Sequence, residues 1–461
     1  MTPLFRFLFD ALDARLRLRK PGRAVVNKVF PKHWSFLLGE VAMFSFAILV
    51  ATGLFLTMFY RPSAEPLLYT GAAQLYEGRT LPAAYASIVE LSHDVRGGLL
   101  FRRMHRGAAY LFMFATVAHL LRILLTGAFR RPREVNTHIG TMMLILVIAL
   151  AYTGQNLVYD LLAGSSLRIA YATLASVPLI GDWLVVWVFG GEFPSEVVSR
   201  FFVLHILILP GLLTGLLVLH LALVARQRHT QFPRAGVDGQ RYVVGEPLWP
   251  SQFAASTTLV LAVGGLVAAF SVLVPWSDVD LHGPLRLGQA SNAGHAEWWL
   301  FWLQGAITIF PAFEWEVLGM TISHMLAFNV VLPGALFGLL FAYPFLERRL
   351  AGYDPDLDNH VCSRPLDVPV RAAIVLGVTA FVGMLTLAMT NDIVARGLRV
   401  SVESVMWFFR IAVLAVPAVV AWAAYARSRS VLRRRRAPGA AAGSGGDAPG
   451  GAAPANPKVS A

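Results

Sequence analysis

Four histidines occur as two pairs within apolar segments of this 461-residue chain. His105 and His119 are 14 residues apart in "RRMHRGAAYLFMFATVAHLLR", and His205 and His220 are 15 apart in "SRFFVLHILILPGLLTGLLVLH". On a helix, either spacing returns the two rings to nearly one face, about 21 Å apart along the axis. Four imidazoles arranged in this way could bind two haem irons, one near each surface of a membrane.

Four glycines repeat the spacing of the histidines. Gly39 and Gly53 are 14 residues apart, and so are Gly140 and Gly154. Glycine lets a backbone come close to a bulky group, so these positions predict gaps that admit a flat macrocycle. Close packing between helices is the alternative, and it would explain each glycine separately but not the shared spacing.

Three arginines lie within about a turn and a half of these histidines along a helix. They are Arg102, Arg122 and Arg200. A guanidinium group binds a carboxylate through two parallel hydrogen bonds. We therefore expect these side chains to contact the propionate groups of the haems.

The composition excludes an ordinary soluble protein. Hydrophobic residues make up 56% of the chain, charged residues 14%, and the mean hydropathy is +0.59. A helix needs about 20 apolar residues to cross a bilayer, and eight runs approach that length, at 36–60, 104–126, 139–159, 201–225, 253–275, 322–346, 369–391 and 404–426. We predict an all-α integral membrane protein with eight transmembrane helices. The run near 172–189, interrupted by Pro178 and Gly181, is expected to be a surface loop helix.

The distribution of Arg and Lys predicts the orientation of the chain. The basic segments all fall on one side of eight spans, which the positive-inside rule makes the cytoplasmic side. Topology thus accounts for the net charge of +12, and nucleic acid is not expected as a partner. We expect a multi-pass protein of the plasma membrane with both termini in the cytoplasm.

The chain divides into four predicted parts. They are an amphipathic cytoplasmic segment (1–35), a four-helix dihaem unit (36–235), a C-terminal helical half (236–430), and a basic, then disordered, tail (431–461).

Cysteine usage restricts the redox chemistry. Cys362 is the only cysteine, which excludes a disulfide framework, a thiolate cluster for iron–sulfur, and covalent attachment of haem. Any redox centre must therefore use nitrogen ligands. A transporter without haem, whose histidines bond within the helix bundle, is the alternative from another functional class.

The sequence resembles the cytochrome b subunit of quinol:cytochrome c reductases, especially the actinobacterial type. The motifs that carry the resemblance are "KHWSFLLGE", "RRMHRGAAY", "HLLRILLTGAFRRPRE", "DLLAGSSLRIA", "SRFFVLH", "RQRHTQFP" and "LPGALFGLLFAYPF". The resemblance implies two non-covalent b-type haems. His105 and His205 would hold one of low potential near the outer face, and His119 and His220 one of higher potential near the cytoplasm.

The resemblance also implies a quinone site at each face. The family's outer-site motif P-E-W-Y is replaced by Ala296, Glu297, Trp298 and Trp299. Glu297 is expected to accept a proton from quinol, and the two tryptophans to form walls of the pocket. The third span also departs from the family, with Gln155 and Val158 at its usual tyrosine and proline positions.

The inner quinone site is expected near "ARQRHTQFP", with His229 and Arg228 as contacts. The implied reaction divides the two electrons of a quinol, expected to be menaquinol, between an iron–sulfur partner and the haems. The implied partners are a Rieske-type iron–sulfur subunit, a cytochrome c subunit, and a second copy of the chain within a supercomplex. Open alternatives are the dihaem anchor of another oxidoreductase, a photosynthetic bf-type relative, and a divergent paralogue with an altered outer site.

Overall fold

The computed structural model describes residues 26–194, 196–274, 278–289, 297–354, 356–436 and 459–460. It has eight helices that are long and apolar enough to cross a membrane, as predicted. We number them spans 1 to 8: Trp34–Thr57, Gly98–Thr126, Glu134–Asn156, Val197–Gln227, Leu248–Leu273, His324–Ala351, Pro369–Ala388 and Val402–Arg435. Most extend beyond the apolar runs that predicted them, because polar residues at a helix end remain helical outside the hydrocarbon.

The spans pack in neighbouring pairs. Span 1 lies along span 2, span 3 along span 4, and span 7 along span 8. Span 5 packs against spans 1 and 2, although it follows the predicted boundary at residue 235. The division at that boundary therefore stays a prediction. We call the end of the bundle with His105 and His205 the outer end, and the end with His119 and His220 the inner end.

Span 4 is not a uniform α-helix. Its α-helical parts Val197–Val203 and Leu209–Gln227 are joined by a π-helical turn, Leu204–Ile208, that contains His205. In a regular helix 15 residues overshoot whole turns by about 60°, whereas 14 residues fall short by about 40°. The wider π turn absorbs the extra residue. As a result, the angle about the helix axis between His205 and His220 is close to the angle between His105 and His119.

Short helices and hairpins cover the outer end. The helices are Ala83–His93, Leu161–Ala175, Gly181–Phe189, Phe301–Ile309 and Asn391–Leu398. Pro66–Leu68 pairs antiparallel with Thr80–Pro82, and Glu314–Val317 with Met320–Ser323. The loop helix predicted near 172–189 is instead the end of one helix and the whole of the next. The helical structure is interrupted between them, around Pro178.

The inner end has only short extended pieces within the described ranges. Val29–Phe30 pairs with Glu246–Pro247, and Val243–Val244 with Val459–Ser460. Span 1 begins there with the single turn Trp34–Phe36. At the outer end, the single turn Trp298–Leu300 directly precedes the helix Phe301–Ile309. Most of the predicted N-terminal segment (residues 1–25) and of the tail (437–458 and 461) lies outside the described residues.

Candidate functional site

His105 and His205 face each other at the outer end of the bundle. Their ring centroids are 6.2 Å apart, and the ring planes are inclined by 68°. A bond from a metal to a histidine nitrogen is about 2 Å, so two rings on opposite sides of one ion have centres roughly 6 Å apart. The observed spacing therefore fits one iron between the two imidazoles. Both rings line a cavity of about 360 Å³, which we call the outer cavity.

Two threonine hydroxyls fix the orientation of these rings. The Oγ1 atoms of Thr52 and Thr153 lie 2.9 and 3.2 Å from Nδ1 of His105 and His205. Each hydroxyl donates its own proton to a backbone carbonyl of its helix, so it accepts from the imidazole. Nδ1 therefore carries the ring proton. The lone pair that a metal needs remains on Nε2.

His119 and His220 line a second, larger cavity of about 880 Å³ at the inner end, the inner cavity. Nδ1 of His119 is buried and makes no hydrogen bond with any described residue. The backbone carbonyl of Asn136 approaches the imidazole of His220. The inner rings thus lack the hydroxyl partners that hold the outer pair.

Each of the four predicted glycines lies against one of the four histidine rings. A Cβ at each of these glycines would lie close to the nearest ring atom. The distance would be 3.2 Å for Gly39 to His119, 3.3 Å for Gly53 to His105, 2.5 Å for Gly154 to His205, and 3.8 Å for Gly140 to His220. The glycines that were expected to leave room for a macrocycle therefore also leave room for the histidine rings. The tightest approach is at Gly154.

Aromatic side chains separate the two cavities. The rings of Phe46 and Phe112 stack with centroids 5.6 Å apart and planes inclined by 27°. Both side chains, together with Val147, line the outer cavity on one side and the inner cavity on the other. The two cavities are therefore stacked along the bundle with a thin apolar layer between them.

The three predicted arginines are placed differently. Arg102 is buried and lines the outer cavity, and Arg122 lines the inner cavity with its guanidinium 4.3 Å from the ring centre of Phe36. Arg200 does not line either cavity. It donates to the carbonyls of Val186 and Trp187, the latter at 2.5 Å, and so satisfies the C-terminal end of the helix Gly181–Phe189. The structure thus gives Arg200 a capping role, and the propionate contact expected of it stays a prediction.

The outer loop brings part of the predicted quinol site to the outer cavity. Glu297 and Trp299 line it, as do Gln155 of span 3 and Val158, which follows the end of that span. Trp298 does not line the cavity and is 37% exposed, although its ring contacts Trp299. Ala296 lies outside the described residues, as does His295 just before it.

At the inner cavity, the His229 ring packs on Phe30 with centroids 4.4 Å apart. Its Nε2 atom is buried and without a hydrogen bond to the described residues. Burial, with smaller contributions from the charges of Lys28, Arg133 and Arg122, lowers the pKa of His229 to about 4. The ring is therefore neutral near pH 7.

Two basic side chains, Arg228 and Lys28, lie along this part of the inner cavity. Arg228 lines it and donates from Nη1 to the carbonyl of Arg241 at 3.2 Å. Lys28 also lines it and donates to the last carbonyls of span 4, at Val224 and Ala225. Burial lowers the pKa of Lys28 as well. The inner cavity therefore has a cationic rim suited to a polar head group that carries carbonyl oxygens.

Sequence reasoning missed four residues at these sites. Thr52 and Thr153 each directly precede an outer glycine, so the repeated "TG" was an available signal. Arg106 and Tyr110 are one turn apart on span 2 and both donate to the carboxylate of Glu297. No motif marks that contact, because Glu297 lies 187 residues after Tyr110 in the chain.

Known proteins resemble the chain over most of its length. A family model described as "Cytochrome b(N-terminal)/b6/petB" matches residues 110–284. The protein named "Cytochrome bc1 complex cytochrome b subunit" is 40% identical in Corynebacterium diphtheriae, over 90% of this chain and 76% of that protein. The protein of that name from Mycobacterium tuberculosis is 40% identical, over 90% and 75%. A solved chain titled "Hyperthermophilic respiratory Complex III" has a TM-score of 0.65 at 19% identity, over 90% of this chain and 99% of its own.

Proposed function

Because the chain belongs to the family of cytochrome b subunits of bc1 complexes, we propose that it conducts electrons between two quinone sites through two b-type haems. Membership makes it a subunit of a membrane-bound oxidoreductase complex with partner subunits. The proposal concerns the finer points, namely the number of haems, the residues that hold them, and the reaction at each cavity.

His105 and His205 would hold the outer haem, and His119 and His220 the inner one. Gly53 and Gly154 leave room for the outer rings, as Gly39 and Gly140 do for the inner rings. Arg102 at the outer cavity and Arg122 at the inner cavity are cations that can bind propionates. When bound with two histidines and no open position, a haem supplies one-electron transfer rather than oxygen chemistry.

Glu297 would accept a proton from quinol at the outer cavity, with Trp299 as an apolar wall. One quinol electron would pass to an iron–sulfur partner. The other would pass from the outer cavity to the inner cavity, across the layer formed by Phe46 and Phe112. At the inner cavity His229 and Arg228 would bind the quinone. Its reduction there takes up protons on the cytoplasmic side, so the cycle moves charge across the plasma membrane.

The partners that this reaction requires are a Rieske-type iron–sulfur subunit and a cytochrome c subunit. Neither can be part of this chain, since its single cysteine can hold neither an iron–sulfur cluster nor a c-type haem with the usual two-cysteine attachment. A homodimer within a supercomplex and menaquinol as the substrate belong to the same proposal.

The observation that supports this function best is the pairing of histidines with glycines in two stacked cavities. The decisive experiment is a reduced-minus-oxidised spectrum of the purified complex, with a haem assay. Two b-type haems per chain, reduced by a menaquinol analogue, would support the proposal. A protein without haem would refute it.

A divergent paralogue with a weakened outer site is the second candidate. It is favoured by Trp299 and Val158, which line the outer cavity where the family has tyrosine and proline. Turnover from quinol to cytochrome c separates the two candidates. A paralogue of this kind would bind both haems but reduce cytochrome c at a small fraction of the rate of its relatives.

A further inference from the structure

Both carboxylate oxygens of Glu297 are held by side chains of span 2. Arg106 donates from Nη2 to Oε1, and Tyr110 donates from its hydroxyl to Oε2 at 2.8 Å. Arg106 also donates from Nε to the Tyr110 hydroxyl at 3.0 Å. Arg106 and Tyr110 are four residues apart and so lie on one face of the helix. The three side chains form a closed triangle of hydrogen bonds.

This triangle joins the outer loop to the helix that carries His105. The Glu297 side chain is only 12% exposed, and that of Arg106 is 34% exposed. The ring of Tyr110 also packs on Trp299, with centroids 5.5 Å apart. Glu297 and Arg106 line the outer cavity. The carboxylate is therefore fixed in position at the cavity wall, in surroundings where hydrogen bonds to a charged group are strong.

We propose that Arg106 and Tyr110 are positioning residues that hold the side chain of Glu297 at the outer cavity in the orientation in which it accepts a proton from quinol. The inference rests on the proposed function. In the step, the O–H bond of a quinol hydroxyl breaks, and its proton forms a new O–H bond on the carboxylate. Glu297 becomes a neutral carboxylic acid while Arg106 keeps its charge.

Protonation of Glu297 weakens the triangle of hydrogen bonds. Hydrogen bonds to an ionised group are about twice as strong as those between neutral groups. The ion pair with Arg106 exists only while Glu297 is ionised, so protonation leaves ordinary hydrogen bonds alone. Asp160, at the start of the helix Leu161–Ala175, is another carboxylate whose charge acts on Arg106.

The test compares variants of the assembled complex. They are Arg106→Gln, Arg106→Lys, Tyr110→Phe, Glu297→Gln and the double change Arg106→Gln with Glu297→Gln. Arg103→Gln is the matched control, because Arg103 precedes Arg106 by one turn but lines neither cavity. The measurement is the rate of reduction of the b haems by a menaquinol analogue, resolved into kcat and KM. Haem content is determined for every variant.

Glu297→Gln should lower kcat about 10- to 100-fold, as expected for loss of a positioned base. Arg106→Gln should lower kcat about tenfold with little change in KM, because it removes positioning rather than substrate binding. Arg106→Lys should recover most of the rate, and Tyr110→Phe should cost a few-fold. The double variant should be no slower than Glu297→Gln, since residues that act as a unit are not additive.

An unchanged or faster rate in Arg106→Gln would overturn the inference, as would a fully additive loss in the double variant. An equal loss in Arg103→Gln would do the same. If Arg106→Gln loses haem, Arg106→Lys and Tyr110→Phe, which retain the bulk of the side chains, decide the matter. A parent complex that quinol does not reduce, or a Glu297→Gln variant with the parent rate, would instead count against the proposed function itself.

Discussion

The outer and inner cavities are built on the same frame of two histidines and two glycines, yet their polar surroundings differ. At the outer cavity each glycine follows a threonine whose hydroxyl accepts a hydrogen bond from a histidine. At the inner cavity Leu38 and Ile139 occupy the corresponding positions. The inner cavity instead has Lys28, Arg228 and the buried, neutral His229 along its lining.

This difference bears on the direction of electron flow. A hydrogen bond from Nδ1 makes the imidazole a stronger donor to a metal, which favours the oxidised iron and lowers its potential. We therefore expect the outer haem to have the lower potential. Electrons that enter there would then move downhill to the inner haem, whose proposed ligand His119 makes no such bond with the described residues.

The largest effect should come from removing an inner ligand. His220→Ala should abolish binding of the inner haem, because a six-coordinate iron loses one axial bond. The reduced-minus-oxidised spectrum should retain the outer component. His138→Ala is the control, since His138 bonds to the carbonyl of Phe341 and lines neither cavity. Two haems with unchanged spectra in His220→Ala would disprove the pairing of His119 with His220.

Glycine-to-alanine changes should separate the two cavities next. The Cβ added in Gly154→Ala would lie 2.5 Å from Cε1 of His205, whereas that of Gly140→Ala would lie 3.8 Å from Cε1 of His220. Overpacking of the first kind costs about 1–3 kcal/mol. Gly154→Ala should therefore lower outer haem content or shift its spectrum, and Gly140→Ala should resemble the parent. Similar spectra for both variants would contradict the difference in packing between the two glycines.

A smaller effect is expected at the rim of the inner cavity. His229→Ala should slow the reoxidation of the inner haem by quinone several-fold while both haems remain bound. Because the pKa of His229 is lowered to about 4, the ring is neutral between pH 6 and 8. The ratio of parent to variant rates should accordingly be the same at both pH values. A defect that grows toward pH 6 would mean that the protonated ring takes part.

The smallest effect tests the two threonines. Thr52→Val and Thr153→Val keep the side-chain shape but remove the hydroxyl acceptor for Nδ1. Thr52→Val should raise the midpoint potential of the outer haem by roughly 20–60 mV, the equivalent of one hydrogen bond, and leave the inner haem unchanged. Thr153→Val should raise it less, because Nδ1 of His205 also lies 3.1 Å from the carbonyl oxygen of Leu150. Thr116→Val is the control, because Thr116 lines the inner cavity and its hydroxyl donates to the carbonyl of Phe112 rather than accepting from a histidine. A potential that stays constant would remove these hydroxyls from the control of redox chemistry.

The sequence predicted what is periodic in this protein. Eight apolar runs gave the eight spans, and the shared spacing of histidines and glycines led to the residues that face one another in the two cavities. The contact of Glu297 with span 2 could not be predicted, because long-range contacts through a loop leave no period in the sequence. The position of the Arg200 side chain could not be predicted for a related reason: closeness to His205 along the chain does not fix the direction of a long side chain.

The π turn of span 4 has a consequence for changes in chain length. A π turn behaves as an α-helix into which one residue has been inserted. Deleting one residue within 204–208 should restore a regular helix and leave the rest of span 4 in phase with its neighbours. The same deletion in the middle of span 2, which is α-helical throughout, would rotate every residue beyond it by about 100° and turn one histidine of the pair away from its cavity. Of spans 2 and 4, we therefore expect only span 4 to tolerate the deletion of one residue, within its π turn.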